Sequence, residues 1–178
     1  MAEWYTTIDD RIRETIEKQH IFFIATAPGG DEGWPNLSPK GRTLLRVLGP
    51  NLAGYLDYPG SGNETAKHVE ENGRVTLMVC SFDATAGITR LYGRGRRADL
   101  DDPLLAAYRE AFRDDFHPYV RQAFFIDVER VQTSCGYAVP RMEYVSERDT
   151  LDKWCERKME PREMVEGVPQ PGELVRKA

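Results

Sequence analysis

Residues 52–82 read LAGYLDYPGSGNETAKHVEENGRVTLMVCSF, and their pattern sets the architecture of the chain. Two runs rich in β-branched and aromatic residues, 52–58 and 75–82, are typical of strands. Between them lie a glycine loop and a polar segment. This segment starts after Asn63, which favours helix starts, and ends at Gly73, which favours helix ends. The stretch therefore predicts a strand, a loop, a short helix and a second strand.

The same kinds of run recur on both sides of this stretch. Near the amino terminus, Thr6 or Thr7, with an acid three residues on, predicts the cap of an amphipathic helix that ends near Gln19. Another helix is predicted after Asp102, because Pro103 favours the first helical turn. Further strands are predicted at residues 20–27, 34–38, 43–48, 88–98 and 124–134, and a last helix after residue 146. About six strands with short helices between them predict an α+β protein built on an antiparallel sheet or barrel.

Length and composition exclude several classes of protein. The chain has 178 residues, 40% of them hydrophobic, which is enough for one domain with a substantial core. Its 24 Lys and Arg against 29 Asp and Glu give a net charge of −5, which disfavours general binding to nucleic acids or membranes. No apolar run approaches the roughly 20 residues of a membrane helix, and the first residues lack a signal-peptide pattern.

The cysteines and histidines predict no metal centre. Cys80, Cys135 and Cys155 are odd in number and lack the spacing of a redox or zinc motif, so packed thiols in the reducing cytoplasm are expected. The three histidines are scattered, without neighbouring ligands. Of these, His68 is expected on the surface of its helix.

A hydroxyl and an ammonium stand two residues apart in NLSPKG, residues 36–41. Ser38 and Lys40 suit a phosphate, because lysine supplies a point charge and serine a hydrogen-bond donor. An ordinary surface turn explains the same residues and, from chemistry alone, is the better explanation.

The glycine loop at residues 60–62 leads into a helix start, where backbone N–H groups attract anions. Asn63 and Thr65 add polar side chains there. Asp57 and Tyr58, at the end of the preceding predicted strand, are expected to face the same opening as the loop. A ligand site and an ordinary capped helix explain this pattern about equally well.

The predicted strand at 88–98 is rich in arginine. Arg90, Tyr92, Arg94 and Arg96 share one face of it, a surface that would suit phosphates or single-stranded nucleic acid. The negative net charge favours the alternative, a solvated face balanced by nearby acids. Salt-dependent binding would expose a nucleic-acid interface.

No signature of a Ser-His-Asp triad, a P-loop or a dinucleotide fingerprint is present, so any chemistry is expected to come from a bound cofactor. Taken together, the motifs resemble the pyridoxamine 5′-phosphate oxidase-like split-barrel flavoproteins. The matching pieces are, in order, NLSPKG at 36–41, YPGSGNETAKH at 58–68, NGRVTLMVCSF at 72–82, RLYGRGR at 90–96, SCGYAVP at 134–140 and ERDTLDKW at 147–154.

The resemblance implies a split β-barrel, which we expect as a single domain over residues 1–160. Residues 161–178, in which Pro and Gly recur with little periodicity, are expected to form an irregular tail. The resemblance also implies a homodimer that holds FMN in clefts between subunits. On this basis Ser38 and Lys40 flank the flavin or its phosphate, and Asp57 lies against the flavin.

The resemblance assigns the remaining site residues in the same way. Tyr58 lies against the flavin beside the strand end, and Asn63 and Thr65 contact the phosphate. Arg90 reaches in from the partner subunit, and Trp154 closes the same cleft.

The chain departs from the true pyridoxamine phosphate oxidases at two places. Where they carry an Arg-Lys pair it has Asn63-Glu64-Thr65, and it ends in PGELVRKA without their Arg- and Trp-containing segment. We therefore expect an FMN-dependent oxidoreductase that takes a hydride from a reduced nicotinamide, passes electrons to a small acceptor and acts on a substrate other than pyridoxamine phosphate. The alternative is a protein that binds a flavin, a deazaflavin or haem without turnover, for storage or sensing.

Overall fold

A computed structural model describes residues 2–42 and 45–177. The strands are β1 (Glu3–Tyr5), β2 (Ile21–Thr26), β3 (Asn36–Gly41), β4 (Arg46–Gly49), β5 (Leu52–Asp57), β6 (Arg74–Cys80), β7 (Ile88–Ala98), β8 (Gln122–Ser134), β9 (Met164–Val165) and β10 (Val168–Pro169). The α-helices are α1 (Asp10–Glu17), α2 (Glu64–Asn72), α3 (Pro103–Ala107) and α4 (Thr150–Lys158), and a 3₁₀ helix spans Arg109–Asp115.

Eight strands form one antiparallel sheet in the order β3-β2-β6-β7-β8-β5-β4, with β1 paired to β8. The sheet curls into an open barrel, because Lys40 on β3 reaches Asp57 on β5 although four strands separate them in the ladder order. The predicted α+β split barrel is confirmed. The sequence predicts about six strands. The structure adds β1, whose three residues are too few to show an alternating pattern.

Side-chain alternation places the core inside the barrel. On β2 the buried residues Phe22 and Ile24 point inward, and the interior is completed by Tyr55, Leu77 and Phe124 from three further strands. A second apolar cluster covers the opposite face of β5 and β8, where α3 and the 3₁₀ helix pack. The two faces of β5 therefore belong to different cores, and this division decides where its last residues point.

Helix α1 starts later than the sequence predicts. Asp9, rather than Thr6 or Thr7, is the N-cap, and its carboxylate accepts a hydrogen bond of 2.7 Å from the backbone N–H of Ile12. Aspartate caps helices as well as serine does and better than threonine, so the nearer acid displaces the predicted hydroxyl cap.

The segment after residue 160, predicted to be irregular, contains the two-stranded hairpin of β9 and β10. Met159 also forms an isolated antiparallel bridge with Arg176. Arg162 donates from Nε to the carbonyl oxygen of Val120, at 3.3 Å, and so ties this segment to the start of β8. No helix among the described residues is long and apolar enough to cross a membrane.

Candidate functional site

Strand β3 presents polar side chains to the mouth of the barrel. Asn36, Ser38 and Lys40 alternate with the exposed residues Leu37 and Pro39. Ser38 lies opposite Ile24 and Lys40 opposite Phe22, both of which face the core. The side chains of NLSPKG that the sequence singles out therefore point inward, whereas an ordinary surface turn would leave them in solvent.

Asp57, at the end of β5, is the centre of the site. Its side chain is only 2% exposed, and it accepts from Lys40 Nζ at 2.9 Å. Arg121 donates to its other oxygen from Nη2 at 2.6 Å and from Nε at 3.1 Å, and Gln122 Nε2 donates at 2.9 Å. Two cations thus share one buried carboxylate, which leaves one positive charge in excess.

The glycine loop and the start of α2 are held from β8. Gln122 Nε2 also donates to Asn63 Oδ1 at 2.9 Å, and Arg121 Nη1 donates to the carbonyl oxygen of Gly62 at 3.3 Å. Asn63 occupies the N-cap position as predicted, but its side chain caps nothing, because it is turned toward Gln122. Among the described residues, no side chain therefore accepts from the first N–H groups of α2.

Thr65 connects the helix to β3. Asn36 Nδ2 lies 3.3 Å from Thr65 Oγ1, and Ser38 Oγ lies 3.2 Å from Asn36 Oδ1. Two hydrogen-bonded groups thus share β3 and the start of α2, one of Asn36, Ser38 and Thr65 and the other of Lys40, Asp57, Asn63, Arg121 and Gln122. We call these eight residues together the polar cluster. The cluster brings together five of the seven site residues predicted from the sequence, namely Ser38, Lys40, Asp57, Asn63 and Thr65.

Tyr58 does not face the same mouth as Asp57, contrary to expectation. Successive strand residues point to opposite faces, so Tyr58 packs in the second apolar cluster and donates from its hydroxyl to the carbonyl oxygen of Asp115 at 2.9 Å. Burial raises the pKa of Tyr58, and the guanidinium of Arg42, 5.7 Å from the ring centre, opposes this.

Arg90 also lies apart from the polar cluster. It stands on the outer face of β7, opposite Met78 and Gln132, and its Nη1 lies 3.4 Å from Ser134 Oγ. Farther along the strand the arginines pair with acids, as in Arg97–Glu70, Arg94–Glu129 and Arg96–Asp102. The surface of β7 is thus the acid-balanced face that the net charge favours.

A cavity of about 740 Å³ adjoins the glycine loop. Its walls include Gly60 and Ser61 of the loop, Arg42 beyond β3, and Trp154 of α4. The lining is mainly apolar. At one side the rings of His20 and Tyr144 stack in parallel, with their centroids 3.6 Å apart. A cavity of this size and character is typical of ligand pockets, which span roughly 300–1,000 Å³.

A family model described as pyridoxamine 5′-phosphate oxidase matches residues 8–135. The chain belongs to the pyridoxamine 5′-phosphate oxidase family. The resemblance seen in the sequence is thereby confirmed, and the match spans every member of the polar cluster and Arg90.

Similar proteins support membership of this family. The pyridoxamine 5′-phosphate oxidase family protein ustO of Aspergillus flavus is 36% identical over 152 residues. The alignment covers 84% of this chain but only 61% of that relative's length. Two solved structures share the fold at 18% identity. HupZ of Group A Streptococcus, as its H111A variant, has a TM-score of 0.58, with 71% of this chain and 99% of that chain covered. A pyridoxamine 5′-phosphate oxidase-like protein of Lactobacillus delbrueckii has a TM-score of 0.53, with 71% and 94% covered.

Three members of the polar cluster are not among the site residues predicted from the sequence: Asn36, which lies in the motif NLSPKG, and the pair Arg121 and Gln122. Arg121 and Gln122 precede the apolar run AFFI, and the predicted strand began only at residue 124. Extending that strand by two residues places Gln122 on the same face as Phe124, inside the barrel. The sequence signal for these two site residues is therefore a pair of polar residues directly before a buried strand.

Two other expectations are wrong. His68 is buried, because α2 packs its face against β2 and brings His68 Nδ1 to 3.0 Å from Thr26 Oγ1. Cys135 is exposed rather than packed, because it follows the end of β8, whereas Cys80 and Cys155 are buried as expected. Within residues 2–42 and 45–177 no group of three His, Cys, Asp or Glu could hold a metal ion.

Proposed function

We propose that this family member is a homodimeric, FMN-binding oxidoreductase that passes electrons between a reduced nicotinamide and a small acceptor. The observation that carries the proposal is the position of the polar cluster. It has an excess positive charge at the start of a helix, and Gly41 and Ser61, which lie within two residues of its members in the chain, line a largely apolar cavity of about 740 Å³. A planar cofactor that carries a phosphate requires positively charged side chains next to an apolar cavity.

The donor set fits the phosphate end of FMN. Lys40 and Arg121 supply charge, and Thr65 and the uncapped N–H groups of α2 supply hydrogen-bond donors. In this proposal Lys40, Asn63 and Thr65 hold the phosphate, with Ser38 beside them. The true pyridoxamine phosphate oxidases carry an Arg-Lys pair at this loop, whereas this chain has no cation in Asn63-Glu64-Thr65. This difference argues against pyridoxamine phosphate as the substrate.

The cavity suits the ring end. Its apolar lining and Trp154 would cover an isoalloxazine ring and exclude water, while Arg42, held by Asp152 of α4, lies at its wall. A flavin bound there supplies the hydride chemistry, and the protein binds and orients it. We assign no side chain to proton transfer.

The outer sheet face supports the proposed homodimer. Opposed residues form a row across it from Pro39 through Phe23 and Met78 to Arg90. Leu37, 66% exposed, and Trp34, 88% exposed, add apolar surface beside the row, and such surface commonly marks an interface. In a dimer built on this face, Arg90 would point toward the cavity of the partner subunit. Such a role agrees with the position of Arg90 away from the polar cluster of its own subunit.

The setting that we propose is cytoplasmic, because all three cysteines are free thiols. We expect no nucleic-acid partner, because three of the four arginines of β7 are paired with acids.

Titration of the purified protein with FMN tests the cofactor. We expect saturable quenching of flavin fluorescence at about one FMN per subunit, followed by bleaching of the bound flavin on anaerobic addition of NADH or NADPH. No saturable binding up to high micromolar FMN would overturn the proposal. If FMN binds but NADH and NADPH do not reduce it, the protein is a flavin-binding protein without turnover.

One feature favours a second candidate, haem binding without turnover. The imidazole of His20 lines the cavity, and histidine is a common axial ligand of haem iron. The absorption spectrum separates the two candidates, since a Soret band would appear after haem addition and would be lost in His20→Ala.

A further inference from the structure

The first residue of α2, Glu64, folds its carboxylate back over the glycine loop. A Cβ atom at Gly62 would overlap both carboxylate oxygens of Glu64, so the carboxylate fills the space that a side chain at position 62 would take. Glu64 is exposed, and no hydrogen bond or ion pair holds its carboxylate within the described part of the chain. Its position is therefore set by rotamer and electrostatics alone, and it can be displaced.

The carboxylate lies at the start of α2, beside the glycine loop. The helix start attracts negative charge through its dipole and its free N–H groups. These groups are free of a side-chain cap because Asn63 is turned toward Gln122. Glu64 thus supplies from the chain itself the negative charge that a ligand phosphate would otherwise bring.

Charge counting gives the consequence. Lys40 and Arg121 contribute two positive charges, and Asp57 contributes one negative charge. Glu64 adds a second negative charge at the start of α2, so the four charges sum to zero. A phosphate therefore meets a weaker attraction than Lys40, Arg121 and Asp57 alone would give, and the uncharged ring end of a flavin is not affected in this way.

We propose that Glu64 competes with the phosphate of the ligand and lowers the preference of the site for phosphorylated over unphosphorylated flavins. This inference rests on the proposed function, from which it takes the location of the phosphate. It makes Glu64 a determinant of selectivity, and it implies that riboflavin and other isoalloxazines without a phosphate compete better here than in a site with a cationic loop.

Calorimetric titration of the full chain with FMN and with riboflavin tests the proposal. Glu64→Gln keeps the shape of the side chain and removes its charge. We expect it to lower the Kd for FMN about two- to fivefold, the effect of one exposed charge at a helix end, and to leave the Kd for riboflavin unchanged. Equal changes for the two flavins, or no change for either, would overturn the proposal.

The matched control is Glu71→Gln, near the other end of α2. It makes the same change in net charge. Glu71 Oε2 accepts a hydrogen bond of 2.8 Å from the backbone N–H of Gly29, and the side-chain carbonyl oxygen of glutamine can accept the same bond. Neither flavin should bind this variant differently. A gain for FMN equal to that of Glu64→Gln would show a general effect of net charge and would overturn the local competition.

Failure of the proposed function can be told apart from failure of this inference. If neither flavin binds the wild-type protein or the variants, the flavin assignment is wrong. Inorganic phosphate then serves as the probe, with the backbone amide signal of Thr65 followed by NMR. A tighter response to phosphate in Glu64→Gln than in wild type would sustain the competition, and identical responses would overturn it.

Discussion

The ammonium of Lys40 lies 2.9 Å from Oδ1 of Asp57, a contact that joins β3 and β5 where no ladder of backbone hydrogen bonds pairs them. The same carboxylate accepts from Arg121, whose backbone N–H also donates to the carbonyl oxygen of Asp57 at 2.8 Å. One buried acid therefore helps to hold the mouth of the open barrel together and also fixes the two cations of the candidate site.

Replacing this acid should destabilise the fold. Asp57→Asn leaves Lys40 and Arg121 facing a neutral amide, and removal of one partner of a buried pair is costly. Both cations are about a quarter exposed, so solvent screens them and the effect is smaller than for a fully buried pair. We expect a loss of about 2–4 kcal/mol in the free energy of unfolding. Urea unfolding followed by tryptophan fluorescence measures it. Asp31→Asn, at an exposed position, is the control, and a loss at Asp57 no larger than in the control would contradict the closing role.

Removing the lysine should weaken FMN more than riboflavin. A charge-assisted bond from Lys40 to the phosphate is worth roughly 1.5–3 kcal/mol, so Lys40→Ala should raise the Kd for FMN roughly ten- to a hundredfold. Asn63→Ala and Thr65→Ala should each cost about 1 kcal/mol, and riboflavin should bind nearly unchanged to all three.

Lys67→Ala is the control for the lysine variant, because Lys67 is an exposed cation on the same helix. Fluorescence titration with both flavins gives the comparison. Equal losses for FMN and riboflavin would place these residues against the ring or in support of the fold, and no loss for either would return the polar cluster to a purely structural role.

Tyr55 in β5 and Tyr58 just after it should respond oppositely to loss of the hydroxyl. The hydroxyl of Tyr55 is buried and has no hydrogen-bond partner among the described residues, so Tyr55→Phe should raise the free energy of unfolding by about 1 kcal/mol. Tyr58 donates to the carbonyl oxygen of Asp115, so Tyr58→Phe should lower it by about 1 kcal/mol. Parallel urea titrations measure both. A clear loss in Tyr55→Phe would reveal a bound water or ligand group at that hydroxyl.

His117 should make the fold sensitive to mild acid. Burial lowers its pKa below the ordinary 6.5, and the nearby guanidinium of Arg42 adds to this, while Asp152 and Glu156 oppose it. The unfolded chain therefore takes up the proton first as the pH falls. Stability should decline from about pH 6.5 downward until the folded form is also protonated, with a slope of at most about 1.4 kcal/mol per pH unit from this residue.

The variant His117→Gln isolates that contribution. Urea unfolding of both proteins at pH 7.5 and at pH 5.5 should show a smaller decline in the variant, because glutamine does not titrate. An identical decline in wild type and variant would assign the acid sensitivity to other groups.

The outer face of β3 should control self-association. Leu37→Asp places a charge in the apolar surface proposed as the dimer interface, and burial of an unpaired charge is strongly unfavourable. We expect sedimentation velocity to show a dimer for wild type and a monomer with weakened FMN binding for the variant. Val175→Asp, an exposed apolar residue in the carboxyl-terminal segment, should remain dimeric. A monomeric wild-type protein with full FMN affinity would contradict the shared site.

Much of the fold could be predicted because its signals are local. The predicted strand at 88–98 coincides with β7, and Gly73 ends α2 with a φ of 69°, a conformation that glycine adopts without strain. Asp102 caps α3 ahead of Pro103, as the sequence predicts. In each case a few adjacent residues determine the outcome.

The site could be predicted only in part because its contacts are distant in sequence. The cap at Asn63 fails because Gln122, 59 residues away, takes its side chain. His68 is buried because it meets Thr26, 42 residues away, and Asp57 meets Arg121 at a separation of 64. Residue type reveals which groups can bond, but only the curl of the sheet determines which of them meet.

Strand β3 carries three of the eight side chains of the polar cluster at an edge of the sheet, and its middle residue on the outer side is Pro39. A sheet edge offers unpaired N–H and C=O groups to any passing chain, and proline withholds a donor there. An incoming strand would lose a hydrogen bond at the centre of the edge. Pro39 therefore lowers the tendency of the β3 edge to pair with a strand of another molecule and so protects the protein against strand-by-strand aggregation.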